Sequence, residues 1–418
     1  MTRWESMTRF SQRTKYVPHL SGILPLTAIL CLVLLVLQPA AARAATPAVQ
    51  VTSATTLGIL TSTPNNIIAR DVAATGILGG QVLWTFGDTF INNLPANSTP
   101  ADWRSSTHAH STLSDPFSLL NLEDSSGLPY QLIPYTQDEL NYNIEKNNPG
   151  GDRIALWPVA VLTTDQYDAE IVYMKVHVLG NLNFQLLGTG VAHIAIFQNQ
   201  ATRDFSIDAT SGLTFQGNVP LFGTSAAMMV QGTTTDTVYM YSCSNALANN
   251  CKVARVSAPH GSNDATWEPL LVNPAHYQTW NGSTWVSDLT QAQPMTNLQA
   301  SGAGWSVAWN PYVRNPATGA QGAYIGLYNQ IVPYGSGSLE SNNVMLVTAP
   351  DPWGPWSDPV LAFTTTPESG QFDYAAELHA ELTSSDGTTI YATYAHPAPS
   401  KCAYCEDVKA VQLTLQNT

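Results

Sequence analysis

Three acidic residues stand at the ends of strand-like segments, where two carboxyl groups could meet across a substrate. Asp88 lies near the end of Trp84–Phe90, Asp152 comes directly before an apolar run, and Glu377 opens an alternating segment. Cleavage of a glycosidic bond needs one protonated carboxyl group and one carboxylate, about 5 to 5.5 Å apart for retention or 6.5 to 9.5 Å apart for inversion. We therefore predict Asp88 and Glu377 as the acid and the nucleophile or base, with Asp152 tuning their pKa values.

The surroundings of Asp88 favour a catalytic acid. A period of two along this segment puts Asp88 on one face with Trp84, Phe86 and Phe90, next to Gly87, whose missing side chain permits close approach. Apolar neighbours desolvate a carboxyl group and raise its pKa. The alternative is that Asp88 caps a turn at a strand end.

The segment Glu377–Leu382 alternates ionisable and apolar residues. On one strand this spacing puts Glu377, His379 and Glu381 on a single face. Aromatic and acidic residues directly precede the segment, which suits a sugar site, so His379 and Glu381 are predicted to bind substrate. The alternative is an ordinary exposed strand with a solvated polar face.

Other strand-like segments offer hydrogen-bond donors and aromatic rings for a sugar. These substrate-binding candidates are Arg153, Trp157, Asn310, Arg314 and Tyr328.

Metal chemistry has weak support in the sequence. His108 and His110 could both point from one strand face, but zinc needs a third ligand. We expect loop histidines with local hydrogen bonds instead, and we predict no cofactor. The sequence leaves open whether a structural calcium ion is bound, since oxygen-rich calcium sites have few recognisable sequence motifs.

The elements that would position these residues are strands. Short β-branched and aromatic runs recur between turn residues, and no convincing helical period exceeds about two turns. Five runs share one form and start about 65 to 90 residues apart. They are 82–86, 171–175, 238–241, 323–328 and 390–394.

These runs predict an all-β chain, and their spacing suits the four-stranded antiparallel blades of a β-propeller. The alternative is a β-sandwich or a two-domain β protein. A propeller predicts that residues 55–70 lie close to Val408–Leu415 and close the ring, whereas a sandwich makes no such prediction.

The charge balance excludes several classes of partner. Charged residues make up 11% of the 418 residues, the formal net charge is −14, and only 16 residues are Lys or Arg. Nucleic-acid binding needs a basic surface, so we predict none. We expect a monomer that binds uncharged carbohydrate.

The N-terminus resembles an export segment. Basic residues precede an apolar run from Ile23 to Leu37, and Ala42-Arg43-Ala44 offers a cleavage site. Residues 1–44 are therefore predicted to be a signal peptide, with an uncleaved membrane anchor as the alternative, and residues 45–418 one domain. The leader holds five of the 16 basic and one of the 30 acidic residues, so the exported part carries −18.

Four cysteines remain after the leader, an even number that in an exported protein indicates two disulfides. Cys243 and Cys251 bracket a predicted hairpin, and Cys402 and Cys405 close a tight loop. The alternative is a four-thiolate zinc site. We predict a secreted or cell-surface protein, with the leader as its only membrane contact.

Three motifs carry a resemblance to a known family: Leu83–Phe90, the Pro-Trp-Gly-Pro-Trp-Ser stretch at 352–357, and Glu377–Leu382 with the strand that follows. The chain resembles the DUF4185 family and, more distantly, five-bladed glycosidase propellers that act on furanosides. The resemblance runs from about residue 60 to 415. It implies a five-bladed β-propeller with a funnel on its axis and, for some members, hydrolysis of arabinan-type glycans. The alternative is a non-catalytic propeller that binds a glycan or a protein through the same funnel.

Overall fold

The computed structural model describes residues 46–64, 66–91, 103–146, 151–180, 183–244, 250–300, 302, 304–334, 337–402 and 405–418. The predicted leader lies outside these ranges. Within them, no helix has the length and apolar character needed to cross a membrane.

Strands dominate the described chain. In chain order they are β1 (Val49–Ile59), β2 (Thr61–Thr63), β3 (Ile67–Arg70), β4 (Ala73–Leu78), β5 (Gln81–Phe86), β6 (Thr89–Ile91), β7 (Trp103–Arg104), β8 (Thr107–Thr112), β9 (Asp115–Asn121), β10 (Arg153–Thr163), β11 (Asp168–Gly180), β12 (Asn183–Ala195), β13 (Thr202–Arg203), β14 (Ala226–Val230), β15 (Thr235–Cys243), β16 (Cys251–Pro259), β17 (Gln278–Trp280), β18 (Trp285–Val286), β19 (Trp305–Arg314), β20 (Gln321–Tyr334), β21 (Gly337–Ala349), β22 (Val360–Thr364), β23 (Tyr374–Leu378), β24 (Thr389–Pro397) and β25 (Glu406–Asn417).

Helical segments are few. The two α-helices are α1 (Gln137–Lys146) and α2 (Asp264–Leu271), and the 3-10 turns are η1 (Pro274–His276), η2 (Leu289–Gln291) and η3 (Ala380–Leu382). The all-β prediction is confirmed, although α1 has 10 residues and is longer than the sequence suggested.

The strands form five larger sheets and one small one. In order of hydrogen bonding, sheet I is β4-β5-β8-β9-β2, sheet II is β10-β11-β12-β13, sheet III is β14-β15-β16-β17-β18, sheet IV is β19-β20-β21-β22, sheet V is β23-β24-β25-β1, and the small sheet is β3-β6-β7. Sheets I and III therefore have five strands instead of the expected four. In sheet I the additional β2 pairs in parallel with β9.

The five aromatic runs found in the sequence each lie on the second strand of a different larger sheet, namely β5, β11, β15, β20 and β24. A second strand has neighbours on both edges and is covered on both faces. Large apolar side chains are favoured there because they remove the most surface from water.

Each hydrophobic core lies between two consecutive sheets. Representative pairs are Leu83 with Leu156 for sheets I and II, Val172 with Val238 for II and III, Tyr241 with Trp305 for III and IV, Ile325 with Leu413 for IV and V, and Val408 with Trp84 for V and I. The first strands β4, β10, β14, β19 and β23 also contact one another in that order.

The two ends of the described chain meet in sheet V. β1 pairs antiparallel with β25 from Val49 opposite Asn417 to Ile59 opposite Lys409. Leu60 N then donates to Val408 O at 2.8 Å. The predicted approach of residues after 55 to the final strand is therefore confirmed over residues 55–60.

The four cysteines form the two predicted disulfides. Cys243 pairs with Cys251 across the β15–β16 hairpin, and Cys402 pairs with Cys405. The four-thiolate zinc alternative is therefore wrong.

Candidate active site

Asp88 lies where the chain leaves sheet I. The predicted continuous strand from Trp84 to Phe90 is wrong: β5 ends at Phe86, and β6 belongs to the small sheet. The break arises because the backbone of Gly87 and Asp88 bonds to Asp71 instead of continuing the β5 ladder. The side chain of Asp88 does not cap its own turn but reaches sheet II.

Two sequence-predicted residues of β10 hold the Asp88 carboxylate. Arg153 Nη2 donates to Oδ2 at 2.6 Å, and Trp157 Nε1 donates to Oδ1 at 3.0 Å. The side chains of Asp88 and Arg153 are 13% and 6% exposed. A charge-assisted bond in such a place is stronger than one in open water. Asp88 is thus a fixed carboxylate at the junction of two sheets.

Asp71, which the sequence analysis missed, stands directly beside Asp88. Asp71 N donates to Asp88 O, and Gly87 N donates to Asp71 O, both at 2.8 Å. A Cβ atom built on Gly87 would lie 3.8 Å from Asp71 Cβ and 3.7 Å from Trp157 Cδ1. The two aspartates therefore share one small volume with the Trp157 ring.

The surroundings of Asp71 favour its protonated form. Burial, with the negative charge of Asp88 as the second cause, raises the pKa of Asp71 to about 6. Tyr374 Oη donates to Asp71 Oδ1 at 2.9 Å. Glu406, at the start of β25, interacts with both Asp71 and Tyr374, and burial raises its pKa well above the ordinary value. We name Asp71, Asp88 and Glu406 the acid cluster.

Strained backbone follows two of these site residues. Val72, next to Asp71, has φ 46°, and Ala375, next to Tyr374, has φ 50°. Residues with a Cβ rarely adopt this region, and each such conformation costs roughly 1–3 kcal/mol. Strain of this kind persists where the surrounding structure fixes it, often at functional sites.

The acid cluster has the parts that acid–base chemistry requires. All three of its acids, with Trp157 and Tyr374, are partly exposed and thus reachable from solvent. Asp71 can hold a proton at mildly acidic pH, while Asp88 is paired with a guanidinium. Two neighbouring carboxyl groups with different hydrogen-bond partners can take the separate roles of acid and base.

Glu377 lies elsewhere, within β23. Its side chain is 6% exposed and interacts with Ser306 and Glu340, and burial raises its pKa well above the ordinary value. Glu340 also accepts a hydrogen bond from Ala375 N at 3.1 Å. The exposed-strand alternative for Glu377 is therefore wrong. Asp88 and Glu377 have separate sets of partners.

The predicted single strand face of Glu377, His379 and Glu381 is also wrong. β23 ends at Leu378, and η3 follows because Leu382 turns inward to pack in the core between sheets V and I. His379 is buried between two hydroxyls, with Nδ1 2.6 Å from Thr75 Oγ1 and Nε2 2.9 Å from Thr393 Oγ1. Burial lowers the pKa of His379 to about 3 and raises that of Glu381.

Asp152 lies at the surface beside α1. Tyr142 Oη donates to Asp152 Oδ1 at 2.6 Å, His177 Nε2 lies 2.7 Å from the same oxygen, and Lys146 Nζ is 3.4 Å from Oδ2. The bond from Tyr142 is the main cause that lowers the pKa of Asp152 to about 2. Its partners differ from those of Asp88, although Arg153 is its neighbour in sequence.

The remaining predicted binding residues belong to sheet IV. Asn310 is fully buried, and its side chain bonds to the backbone of Gly387 and Val313. Tyr328 is 3% exposed and packs against Trp305. Arg314 is exposed at the end of β19. Asn310 and Tyr328 thus support the local packing.

A cavity of about 760 Å³ is lined by the first strands of all five larger sheets. Glu377 and Glu381 line it together with Met228, Met229 and Trp309. None of the acid cluster is in this lining. We take the acid cluster as the candidate active site because it combines partial exposure, a fixed carboxylate and a proton donor.

His108 and His110 lie on β8, so the loop expectation is wrong. They stand edge to face with ring centroids 5.8 Å apart, and burial lowers the pKa of His108 to about 3. Among the described residues, the group whose ligand atoms lie close enough for one metal ion is Glu170, His193 and Asp264.

A family model described as "Domain of unknown function (DUF4185)" matches residues 52–415. The chain belongs to the DUF4185 family. The predicted resemblance to DUF4185 is thereby confirmed, and the matched range covers every strand of the larger sheets except the first residues of β1 and the last of β25. No curated protein sequence matches this DUF4185 chain.

Several solved structures resemble the DUF4185 fold described here. A Bacteroides ovatus ATCC 8483 protein described as a candidate hydrolase is 14% identical with a TM-score of 0.50, over 83% of this chain and 86% of that one. An exo-β-1,3-galactanase from Phanerochaete chrysosporium is 14% identical with a TM-score of 0.46, over 87% and 64%. An α-L-arabinofuranosidase from Podospora anserina is 11% identical with a TM-score of 0.35, over 88% and 98%. At such identities the first likeness shows the fold alone.

Proposed function

We propose that this DUF4185 chain is an exported glycoside hydrolase built as a five-bladed propeller, with Asp71 and Asp88 as its catalytic pair. The observation that carries the proposal is the contrast between these two neighbouring carboxyl groups. Burial raises the pKa of Asp71, whereas Asp88 is held by Arg153 and Trp157. Glycosidases separate the roles of two carboxyl groups in this way.

The five-bladed arrangement is supported by the order of the cores. Each larger sheet shares one core with the next, and sheet V shares one with sheet I, so the sequence of contacts returns to its start. The first strands lie in the same order around a common cavity. The β1–β25 pairing would then close the last blade with strands from both chain ends.

In the proposed reaction, Asp71 donates its proton to the leaving-group oxygen of the glycosidic bond. Asp88 acts at the anomeric carbon, either as the nucleophile or as the base that activates water. Tyr374 and Glu406 position Asp71, and Arg153 and Trp157 position Asp88. Proton NMR of the first-formed anomer distinguishes the two roles of Asp88, since the nucleophile retains the configuration and the base inverts it.

The proposed substrate is an arabinan-type glycan. The partly exposed Trp157 ring beside Asp88 offers a stacking surface, and Tyr374 adds a polar aromatic edge. An acid cluster repels anions, so a neutral sugar suits it better than a phosphorylated one. The furanoside class comes from the motif resemblance to furanoside-acting propellers.

We also propose that the protein is secreted or at the cell surface and consists of a leader (1–44) and one domain (45–418). Two disulfides and an apolar leader followed by small residues support export. A monomer that binds carbohydrate and no nucleic acid agrees with the acidic composition.

The test is release of reducing sugar from a panel of arabinans and other furanosides. Asp88→Asn is expected to lower kcat by 100-fold or more, since it removes the nucleophile or base. Asp152→Asn is the matched control, since it makes the same change at a surface aspartate and should keep activity within about 2-fold. Equal activity in Asp88→Asn would remove Asp88 from the mechanism. Binding of glycan without turnover by the wild-type protein would instead favour a non-catalytic propeller.

A further inference from the structure

Three potential metal ligands meet between sheets II and III, in a place that the proposed reaction does not use. Glu170 on β11 and His193 on β12 are directly opposite each other in the strand register. Asp264 is the first residue of α2, which follows β16 of sheet III. The three residues come from separate elements.

The distances among these side chains suit one small cation. His193 Nδ1 lies 3.2 Å from Asp264 Oδ2 and 3.5 Å from Glu170 Oε1. Their ligand atoms all lie within 4.8 Å of one another. Ligands about 2.0–2.2 Å from a tetrahedral zinc ion are roughly 3.3–3.6 Å apart. The two distances from His193 agree with this spacing.

The buried Glu170 carboxyl group lies 3.5 Å from His193 Nδ1 but has no hydrogen bond of regular geometry. The Glu170 side chain is 1% exposed. Within the described part of the chain, neither Glu170 oxygen nor His193 Nδ1 has a hydrogen-bond partner. Burying a carboxylate is costly unless it is paired or bound to a metal. A cation between these atoms would satisfy all three at once.

The surrounding groups hold two of these ligands by their other atoms. His193 Nε2 lies 3.4 Å from Asp168 Oδ1, while its Nδ1 faces Glu170 and Asp264. Thr164 Oγ1 donates to Asp264 Oδ1 at 3.1 Å, which leaves Oδ2 for a cation. A carboxylate behind the histidine and a bonded ligating carboxylate are regular features of metal sites.

The pair of His260 and Asp236 differs from the Glu170 group in the hydrogen bonds that its carboxylate accepts. Asp236 lies 2.9 Å from His260 Nδ1 through Oδ1 and also accepts bonds from Gly232 N and Gly261 N at 3.0 Å. Its carboxylate is satisfied within the protein. The Glu170 group has the same residue types but lacks these backbone donors, so its geometry calls for a ligand.

We infer that Glu170, His193 and Asp264 bind a divalent cation of the zinc class. The imidazole favours zinc over calcium, which prefers oxygen ligands alone. Because the ligands come from sheet II and from the helix after sheet III, the bound ion would join these sheets and stabilise their interface.

The test uses the full chain, treated with EDTA and then titrated with Zn²⁺, Mn²⁺, Ca²⁺ or Mg²⁺. Calorimetry should give one Zn²⁺ per chain, and Tm should rise by about 5 °C at a hundred-fold excess over Kd. Glu170→Gln and Asp264→Asn should abolish this rise, while Asp168→Asn should weaken Zn²⁺ binding 10- to 100-fold. Asp236→Asn, at the satisfied pair, is the matched control and should respond to Zn²⁺ as the wild type does.

Measurements on the metal-free protein distinguish an effect on folding from an effect on metal binding. Glu170→Gln also removes a partner of His193, so the Tm of each protein without metal is the baseline and only the shift caused by Zn²⁺ is compared. The inference is overturned if the wild type and Glu170→Gln respond equally to Zn²⁺, as they would if a protonated His193 satisfied the carboxylates. Preference for Ca²⁺ over Zn²⁺ would overturn the assignment to the zinc class.

Discussion

Burial raises the pKa values of Asp71 and Glu406 in the acid cluster and of Glu377 in the cavity wall, but the two sites differ in what surrounds the acids. Around Asp71 and Asp88 stand Tyr374, Arg153 and Trp157, which donate hydrogen bonds from three directions. Around Glu377 stand Ser306 and a second buried acid. The acid cluster is also partly exposed, whereas Glu377 is 6% exposed.

A raised pKa alone therefore does not identify a catalytic acid. A catalytic carboxyl group must also reach the substrate and have a partner of the opposite protonation state nearby. The acid cluster is partly exposed, and Asp88, bonded to Arg153 and Trp157, lies directly beside Asp71. Glu377, with its neighbour Glu340, is better explained as a protonated side chain in the wall of the cavity.

The largest expected difference between variants of the acid cluster and variants of the Glu377 site is in kcat. Asp71→Asn should lower kcat on the active furanoside by about 1,000-fold, because the leaving group loses its proton donor. Glu377→Gln, which replaces a neutral acid with a neutral amide, should keep kcat within about 3-fold. Both are measured by initial rates at saturating substrate. If Glu377→Gln were the more damaging change, the cavity and not the acid cluster would be the active site.

The second expected effect is on the pH profile. The acid must be protonated to act, and the pKa of Asp71 is raised to about 6. The rate kcat/KM should therefore fall about tenfold per pH unit above pH 6. Glu377→Gln should leave this limb in place. A constant rate from pH 5 to pH 8 would exclude Asp71 as the proton donor.

The smallest effect is on stability. The pKa of Glu377 is raised in the folded state, so its neutral form favours folding and that contribution is lost as pH rises above about 4.5. Glu377→Gln should therefore gain free energy of unfolding relative to the wild type between pH 5 and pH 8, on the order of 1 kcal/mol. Urea unfolding at several pH values measures this difference. A difference between the variant and the wild type that stays constant from pH 4 to pH 8 would show that the pKa of Glu377 is not raised in the fold.

The sequence predicted the second strands of the sheets well, because their aromatic and β-branched runs reflect burial on both faces. It also nominated Asp88, Arg153 and Trp157 separately. It could not join them, since the Asp88 contacts cross from sheet I to sheet II over 65 and 69 residues of chain.

The sequence pattern does not indicate Asp71 or Glu406 as site residues, and the reason is physical. Asp71 stands in the short connection between β3 and β4, and Glu406 directly follows a cysteine, so neither lies in an alternating pattern. Asp71 lies just before β4, the first strand of sheet I, and Glu406 is the first residue of β25 in sheet V. Their placement therefore depends on where these two strands begin. A search at the starts of first strands, where Arg153 and Tyr374 also stand, would have found Asp71.

The pairing of β1 with β25 has a consequence for the order of folding. Gln50 and Gln416 lie opposite each other across 366 residues of chain. Closing a loop of this length costs roughly 5 kcal/mol of chain entropy by the logarithmic scaling for flexible chains. Such non-local contacts form slowly. During synthesis, sheet V can be completed only after β25 has emerged from the ribosome, so β1, although it is made first, is among the last strands to be paired.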